Sequence, residues 1–537
     1  MTFFGIEGAT FQQLMSLPAA ADLSRHGGSA MMLGATTQLG SDLRSASLAG
    51  GAPIFLQNYD AGTPPEGAAA QAAFWKGADR FLQEAVAECG TDQLVIVAAL
   101  PPHGMPVVQA RSRLSGVVVA WDPGAEQPGT PGALTSSSTR RAGVVTADDL
   151  RATIAAYLRL PGVDTNGTIT VVRGSPLDLY ERHVAQRRMY VPVAIVAGSA
   201  VFLLLVFALY SFSRRTKLPR WALYVGQWAC LATPALAVAL LAAGHLPTLS
   251  YLWVALLAVA VTILLPAAAL AFRGRGALVP PFALGLMILG LFVVEAATGW
   301  YGTMSTMMGG TALDGARFYG LPNAFEGLVI GSAVYVASSL KPLRGFAAII
   351  AVALFVGLPG LGADLGGAVA ALAAAGLWLM LRTRNRFGWK EAGVALSTVV
   401  FGTGVILLAH RFLVSSPTHG TAFVETSGRD PLHAASTLWE RLGIGVRLLR
   451  RNPIGLVYLA ATPVLIRVVV KRRAGLKDSL NAFPQWRAAI LAILWASVVG
   501  YFVNDTGVSA VGMGFAMALG GLLYVPLARE AVKMNER

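Results

Sequence analysis

At 537 residues the chain is longer than one ordinary domain. With 55% apolar residues and a mean hydropathy of +0.59 it is too hydrophobic for a soluble protein of this size. The formal charge of +14 is unevenly spread: residues 1–188 carry 14 basic and 16 acidic side chains, the rest 28 and 12. The excess therefore lies among the apolar runs, where basic residues anchor membrane loops. The first part has no basic stripe interleaved with aromatics, which excludes nucleic acid as a partner. Cys89 and Cys230 fall in different regions and define no redox framework.

Residues 1–188 alternate short apolar strands with helical patterns. TFFGIEG, QLVIVAAL, SGVVVAW and TITVVR read as strands, and FQQLMSLPAAADLSRHGG, AAFWKGADRFLQEAVAECG and TADDLRATIAAYLRL as helices. This alternation predicts an α/β layered domain with a largely parallel sheet. The Gly/Pro/Ser-rich stretch 122–141 is a long loop at a strand's C-terminal end, where such sheets place ligands.

The order of IEG at 6–8, LPAAADLSRHGG at 17–28, VAALPPHGM at 97–105 and TADDLRATIAAYLRL at 146–160 resembles the alkaline phosphatase/sulfatase superfamily, in truncated form. The resemblance implies a two-metal site beside a Ser/Thr nucleophile, and its metal candidates here are Glu7 and His103. Glu7 stands where that family has Asp, and Pro102 where it has the Asp before His. A two-metal site needs several convergent carboxylate and imidazole ligands. The expectation is thus a degenerate, metal-free relative without a cofactor.

From residue 189 onward, eleven apolar runs are long enough to be read as membrane helices: 189–212, 221–243, 249–272, 280–298, 324–340, 344–358, 366–382, 391–410, 453–470, 486–503 and 508–528. The sixth is short and ends in GLPGLGADLGG, the composition of a broken or re-entrant helix. Basic residues crowd the loops after odd-numbered runs (SRRTKLPR, RGRG, KPLR, RTRNRFGWK, KRRAGLK) and the tail REAVKMNER. That asymmetry predicts a C-terminus in the cytoplasm and residues 1–188 outside. LWERLGIGVRLLRRN, near 438–451, reads as a basic amphipathic helix on the outer surface. An outer N-terminal domain needs a signal or a preceding span, and the opening MTFFGIEGATF supplies neither, so the expectation is an upstream segment, the alternative being a span count that is off by one.

This topology gathers the polar residues of the membrane half on the outer face. They are Glu295 near the end of the fourth run, Arg317, Asn323 and Glu326 in GARFYGLPNAFEG, Asp364 in GLGADLGG, His419 in SSPTHGTAF, and Asn504 and Asp505 in NDTG. Carboxylates at membrane depth are costly and mark a pathway or site. Glu326, Asp364, Asp505 and His419 are the acid/base candidates; Arg317, Asn323 and Asn504 are the substrate-binding ones. A helix N-cap is the structural alternative for Asp364, a salt bridge with Arg317 for Glu326 and a plain turn for NDTG.

GARFYGLPN, GADLGG and NDTG, following a phosphatase-like region, resemble elements of envelope proteins of actinobacteria and related bacteria. Arg317, Asn323, the 411–452 loop and His419 also resemble the outer-face elements of O-antigen ligases and polymerases, which use polyprenyl-diphosphate donors. The expectation is a multi-pass plasma-membrane protein of a bacterium, surrounded by membrane lipid, that acts on or binds a lipid-linked or surface-glycan substrate. The alternatives are a glycan transferase of the ligase kind and an ion-coupled transporter.

Overall fold

The structure is a computed structural model. It describes residues 30–33, 54–57, 95–98, 117–120, parts of 133–172, 176–308, 320–383, 389–413, 453–471, 476–503 and 508–536, with a few single positions besides. The chain divides into two compact units, Met1–Glu181 with Ala312–Phe318, and Arg182–Thr311 with Tyr319–Arg537.

Six short strands are described in the first unit: β1 Ala30–Leu33, β2 Ile54–Gln57, β3 Val95–Ala98, β4 Val117–Ala120, β5 Ala133–Thr135 and β6 Thr170–Val172. They form three separate two-stranded sheets, with β1 and β2 parallel and the β3–β4 and β5–β6 pairs antiparallel. The expected α/β domain with one largely parallel sheet is therefore not supported. The runs at 93–100, 115–121 and 168–173 do contain strands. Two of those strands, β3 and β4, pair with each other in the antiparallel sense, so no helical crossover is required between them. Within this unit the β5 turn is tied by Asp149, which is 1% exposed. Asp149 accepts hydrogen bonds from Ser136 Oγ at 2.8 Å and Ser138 Oγ at 2.9 Å.

The second unit is helical. Its elements are α1 Pro176–Arg214 (which begins in the first unit), α2 Arg220–Ala242, α3 Tyr251–Leu270, α4 Val279–Ala297, a single turn α5 Tyr301–Met304, α6 Glu326–Ser338 and α7 Pro342–Gly357. There follow α8 Leu365–Thr383, α9 Trp389–Leu413, α10 Pro453–Lys471, the short α11 Lys477–Ala482, α12 Pro484–Val503 and α13 Val508–Glu536. A helix thus falls on each of the eleven apolar runs. Eight helical segments among the described residues are long and apolar enough to cross a bilayer. The chain is a multi-pass membrane protein.

Burial separates inner from outer helices. α6 is buried along its whole length, and α8 packs against α7, α9 and α12. Trp378, Trp486, Tyr335 and Tyr524 are the unit's largest fully buried side chains. Two of their polar groups find backbone partners: Tyr335 donates to the Met517 carbonyl at 2.6 Å and Trp486 Nε1 to the Gly521 carbonyl at 2.8 Å, whereas Trp378 Nε1 and the Tyr524 hydroxyl have no hydrogen-bond partner among the described residues. In contrast, α1 exposes Ile195, Phe202 and Leu203, and α9 exposes Phe401 and Leu408. Apolar side chains all round an unburied helix require lipid as their solvent.

Two helices are too short for a straight crossing. α6 has 13 residues and is preceded by a 3₁₀ turn, Asn323–Phe325; α7 has 16. The segment after α7 folds back on its last turn, where Gly362 donates to the Phe355 carbonyl and Asp364 to that of Val356, each at 2.8 Å. The loop 320–323 runs beside it, with Leu321 N–H donating to the Gly362 carbonyl at 2.7 Å. A Cβ at Gly320 would collide with that carbonyl, and φ at Gly320 is +84°, so this crossing needs glycine on both counts.

Candidate functional site

The connectivity puts the starts of α2, α7 and α9 at one end of the helical unit, with the arginine and lysine loops. The starts of α6 and α8 and the ends of α2, α4 and α12 lie at the other. Three carboxylates are buried at this second end: Glu295 (0%), Glu326 (1%) and Asp364 (0%).

Glu326 opens α6, so its carboxylate lies at the positive end of the helix dipole. A Cβ placed on Gly500 of α12 would come within 2.5 Å of Glu326 Oε1 and 3.6 Å of the Ala370 Cβ. The carboxylate therefore occupies the space that a side chain at 500 would fill, between α6, α8 and α12. Beside it is a cavity of about 10 Å³ lined by Glu326, Gly327, Ile330, Ile493, Ala496 and Ser497. That is the lower limit of room for one water molecule. Asn323, 8% exposed, lies one turn earlier in the 3₁₀ segment.

Asp364 immediately precedes α8, and its carbonyl accepts the Ala368 N–H at 3.0 Å. Its Oδ2 would be 2.7 Å from a Cβ on Gly367, so the carboxylate lies over the first turn of the helix. This is the position of an N-cap. The residue before it, Ala363, has φ +52°, and Trp300 has φ +65°. Among the described residues these are the two non-glycine positions in the left-handed region. Both belong to the same wall, because Trp300 Nε1 donates to the Leu361 carbonyl at 2.7 Å. Left-handed backbone at such residues costs of order 1–3 kcal/mol and persists where surrounding structure holds it. An aromatic layer of Phe292, Trp300, Phe325 and Phe355, with neighbouring centroids 5.8–6.5 Å apart, backs that wall.

Glu295 belongs to a second polar knot at the same end. Its Oε1 accepts from His245 Nε2, and its Oε2 from the Gly302 N–H at 3.2 Å. The Glu295 side chain is 1% exposed, whereas that of His245 is 39% exposed. A buried acid thus orients an accessible imidazole. Next to it, Arg182 donates through Nε to Ser305 Oγ at 2.9 Å and through Nη1 to the Leu246 carbonyl at 2.7 Å. Its Nη2 reaches the Gly244 carbonyl, and the guanidinium lies 5.6 Å from the Tyr301 ring centroid. Burial pulls the Arg182 guanidinium below the usual arginine value, with Tyr301 opposing that shift. The planar fork suits three acceptors at once, which an ammonium does not.

Of the candidates read from sequence, the structure brings Asn323, Glu326 and Asp364 to adjoining helix starts at one end of the unit. Arg317, His419, Asn504, Asp505, Glu7 and His103 lie outside the described residues, as does the predicted helix at 438–451. His245, Arg182 and Asp149 carry no sequence signal of their own. His245 closes an apolar run after Gly244, and its partner is fifty positions away. Among the described residues no group of three or more His, Cys, Asp or Glu is placed to hold a metal. No protein-family model, curated protein or solved structure matches this chain.

Proposed function

We propose that this chain is a bacterial envelope protein that acts on a lipid-linked or surface-glycan substrate at the outer face of the membrane. Glu326 and Asp364 serve as acid/base groups at that face, with Arg317, Asn323 and Asn504 as the binding residues and Asp505 and His419 as further acid/base candidates. The orientation follows from the basic loops, which favour the cytoplasm, and it sets the carboxylate-bearing end outside.

The observation that carries this reading is Glu326. A carboxylate 1% exposed at the start of an apolar helix is expensive. It is lodged against Gly500 and a water-sized cavity. Such a group serves proton transfer to or from a bound substrate oxygen, provided that water or substrate reaches it. The resemblance to O-antigen ligases and polymerases, which act on polyprenyl-diphosphate-linked glycans, supports the substrate class, a glycan carried on a lipid phosphate.

The test is a comparison of cells carrying the wild-type chain, Glu326→Gln, Asp364→Asn or no copy of the gene. Polyprenyl-phosphate-linked glycans in lipid extracts are measured by mass spectrometry, and surface glycans by composition. Accumulation of a lipid-linked species in both substituted strains, with protein levels unchanged, is the expected result. Identical lipid-linked and surface profiles in all four strains would reject the reading.

A further inference from the structure

A second site is built at the opposite, basic end, from residues that the outer-face reading does not use. Arg220 opens α2 and donates from Nε to the Tyr224 hydroxyl at 2.8 Å, its guanidinium carbon 5.5 Å from that ring's centroid. Arg273, in the turn after α3, sits 4.6 Å from the same centroid. Two guanidinium groups therefore share one tyrosine, and their carbons are no more than about 10 Å apart, the two distances to the common centroid set end to end. Neither has a carboxylate within ion-pair distance; among the described residues the ion pairs are His245–Glu295 and Lys533–Glu530.

The two arginines converge from separate helices onto one ring, where their charges repel. Two guanidinium forks, that of Arg273 also donating to the Leu270 carbonyl at 3.2 Å, form a donor set that a phosphate accepts. α3 then continues away from the site as a largely lipid-exposed helix, showing Leu252, Leu256, Val259, Ile263 and Leu264. An acyl chain attached to the phosphate has an apolar surface to follow.

We infer that Arg220 and Arg273, bridged by Tyr224, bind the phosphate of an anionic lipid headgroup at the basic end of the helical unit. The phosphate enters between the two guanidinium groups, balances their charge and couples the start of α2 to the end of α3. Basic pockets between membrane helices hold anionic headgroups in this way. The site is independent of the outer-face activity and holds or fails without it.

The test uses the purified full chain in detergent, examined by native mass spectrometry with added phosphatidylglycerol, phosphatidylcholine or inorganic phosphate. Wild-type protein is expected to retain phosphatidylglycerol at least tenfold more than phosphatidylcholine. Arg220→Gln with Arg273→Gln should lose that preference, while Lys341→Gln with Arg344→Gln, the same charge removed from another loop, should keep it within about twofold. Arg273→Gln alone provides the readout should the double variant fail to assemble. Equal loss in the control pair, or an undiminished preference without Arg273, would overturn the site. Displacement of the lipid by millimolar inorganic phosphate would reassign the site to the free anion and overturn the lipid assignment.

Discussion

Removing His245 tests the polar knot around Glu295 most directly. In His245→Ala the Glu295 carboxylate, its side chain 1% exposed, keeps the Gly302 N–H at 3.2 Å as its one donor among the described residues. Breaking a fully buried pair by deleting one partner costs about 3–5 kcal/mol, because the remaining charge is left uncompensated. Since His245 is 39% exposed, solvent already screens part of the interaction. The expected loss is therefore about 2–3 kcal/mol. Replacing both partners, His245→Ala with Glu295→Leu, removes the buried charge and should return the protein to within about 1 kcal/mol of wild type. Thermal unfolding of the detergent-solubilised full chain, followed by retention as a monodisperse species, reads both effects. A loss of that size lowers the midpoint of a chain this long by roughly 2–3 °C. If His245→Ala melts with the wild type, or if the double variant loses the sum of the two single losses, the account of Glu295 as a buried charge needing His245 is wrong.

Two glycines on α4 separate helix contact from lipid contact. A Cβ on Gly285 would meet the Ser332 carbonyl at 2.7 Å, and one on Gly290 meets nothing within 4 Å; Gly285→Ala should cost about 1–3 kcal/mol in the same melting assay, and Gly290→Ala should gain about 0.5–1 kcal/mol. Tyr335→Phe deletes the 2.6 Å bond to the Met517 carbonyl and should cost about 0.6–1.7 kcal/mol, the range measured for hydrogen bonds between membrane helices. Arg182→Lys keeps the charge but loses the fork; amide hydrogen exchange at 244–246 should rise several-fold, and unchanged protection there would show that the guanidinium does not hold that turn. Gly500→Ala should disturb Glu326 without altering any charge, so a variant as stable as wild type and with wild-type glycan profiles would mean that the carboxylate has room to move away from α12.

The helices were legible because lipid imposes one requirement on all of them: each backbone polar group must be satisfied within its own segment. Even the two short crossings carried a signal, since glycine and proline in GLPGLGADLGG mark where α7 stops and the chain turns back. The first unit was read less well for a physical reason. Short apolar runs such as VIVA and VVVA form strands in either direction, and their neighbours are chosen by tertiary packing. Nothing in the runs themselves distinguishes an antiparallel pair from members of a parallel sheet. Within the site, Glu326 and Asp364 stood out because carboxylates are rare in apolar runs. His245 did not, because a histidine at the end of a span is ordinary until its partner is known.

The two polar knots differ in what their geometry permits. Around Glu295 the backbone is packed tight: Gly244 and Gly302 approach so closely that neither could carry a side chain, and Arg182 is held by three acceptors. That arrangement ties Arg182 of α1 to the turn after α2 and to Ser305 beyond α5. Around Glu326 the neighbours are Gly327, Gly500, Ala496 and Ser497, and a water-sized cavity adjoins the carboxylate. The small residues beside Glu326 leave room of about one water molecule at the carboxylate. The two acids at this end of the unit thus differ in surroundings: Glu295 is tied to His245 and the Gly302 amide, and Glu326 adjoins the water-sized cavity that the proposed acid/base role requires.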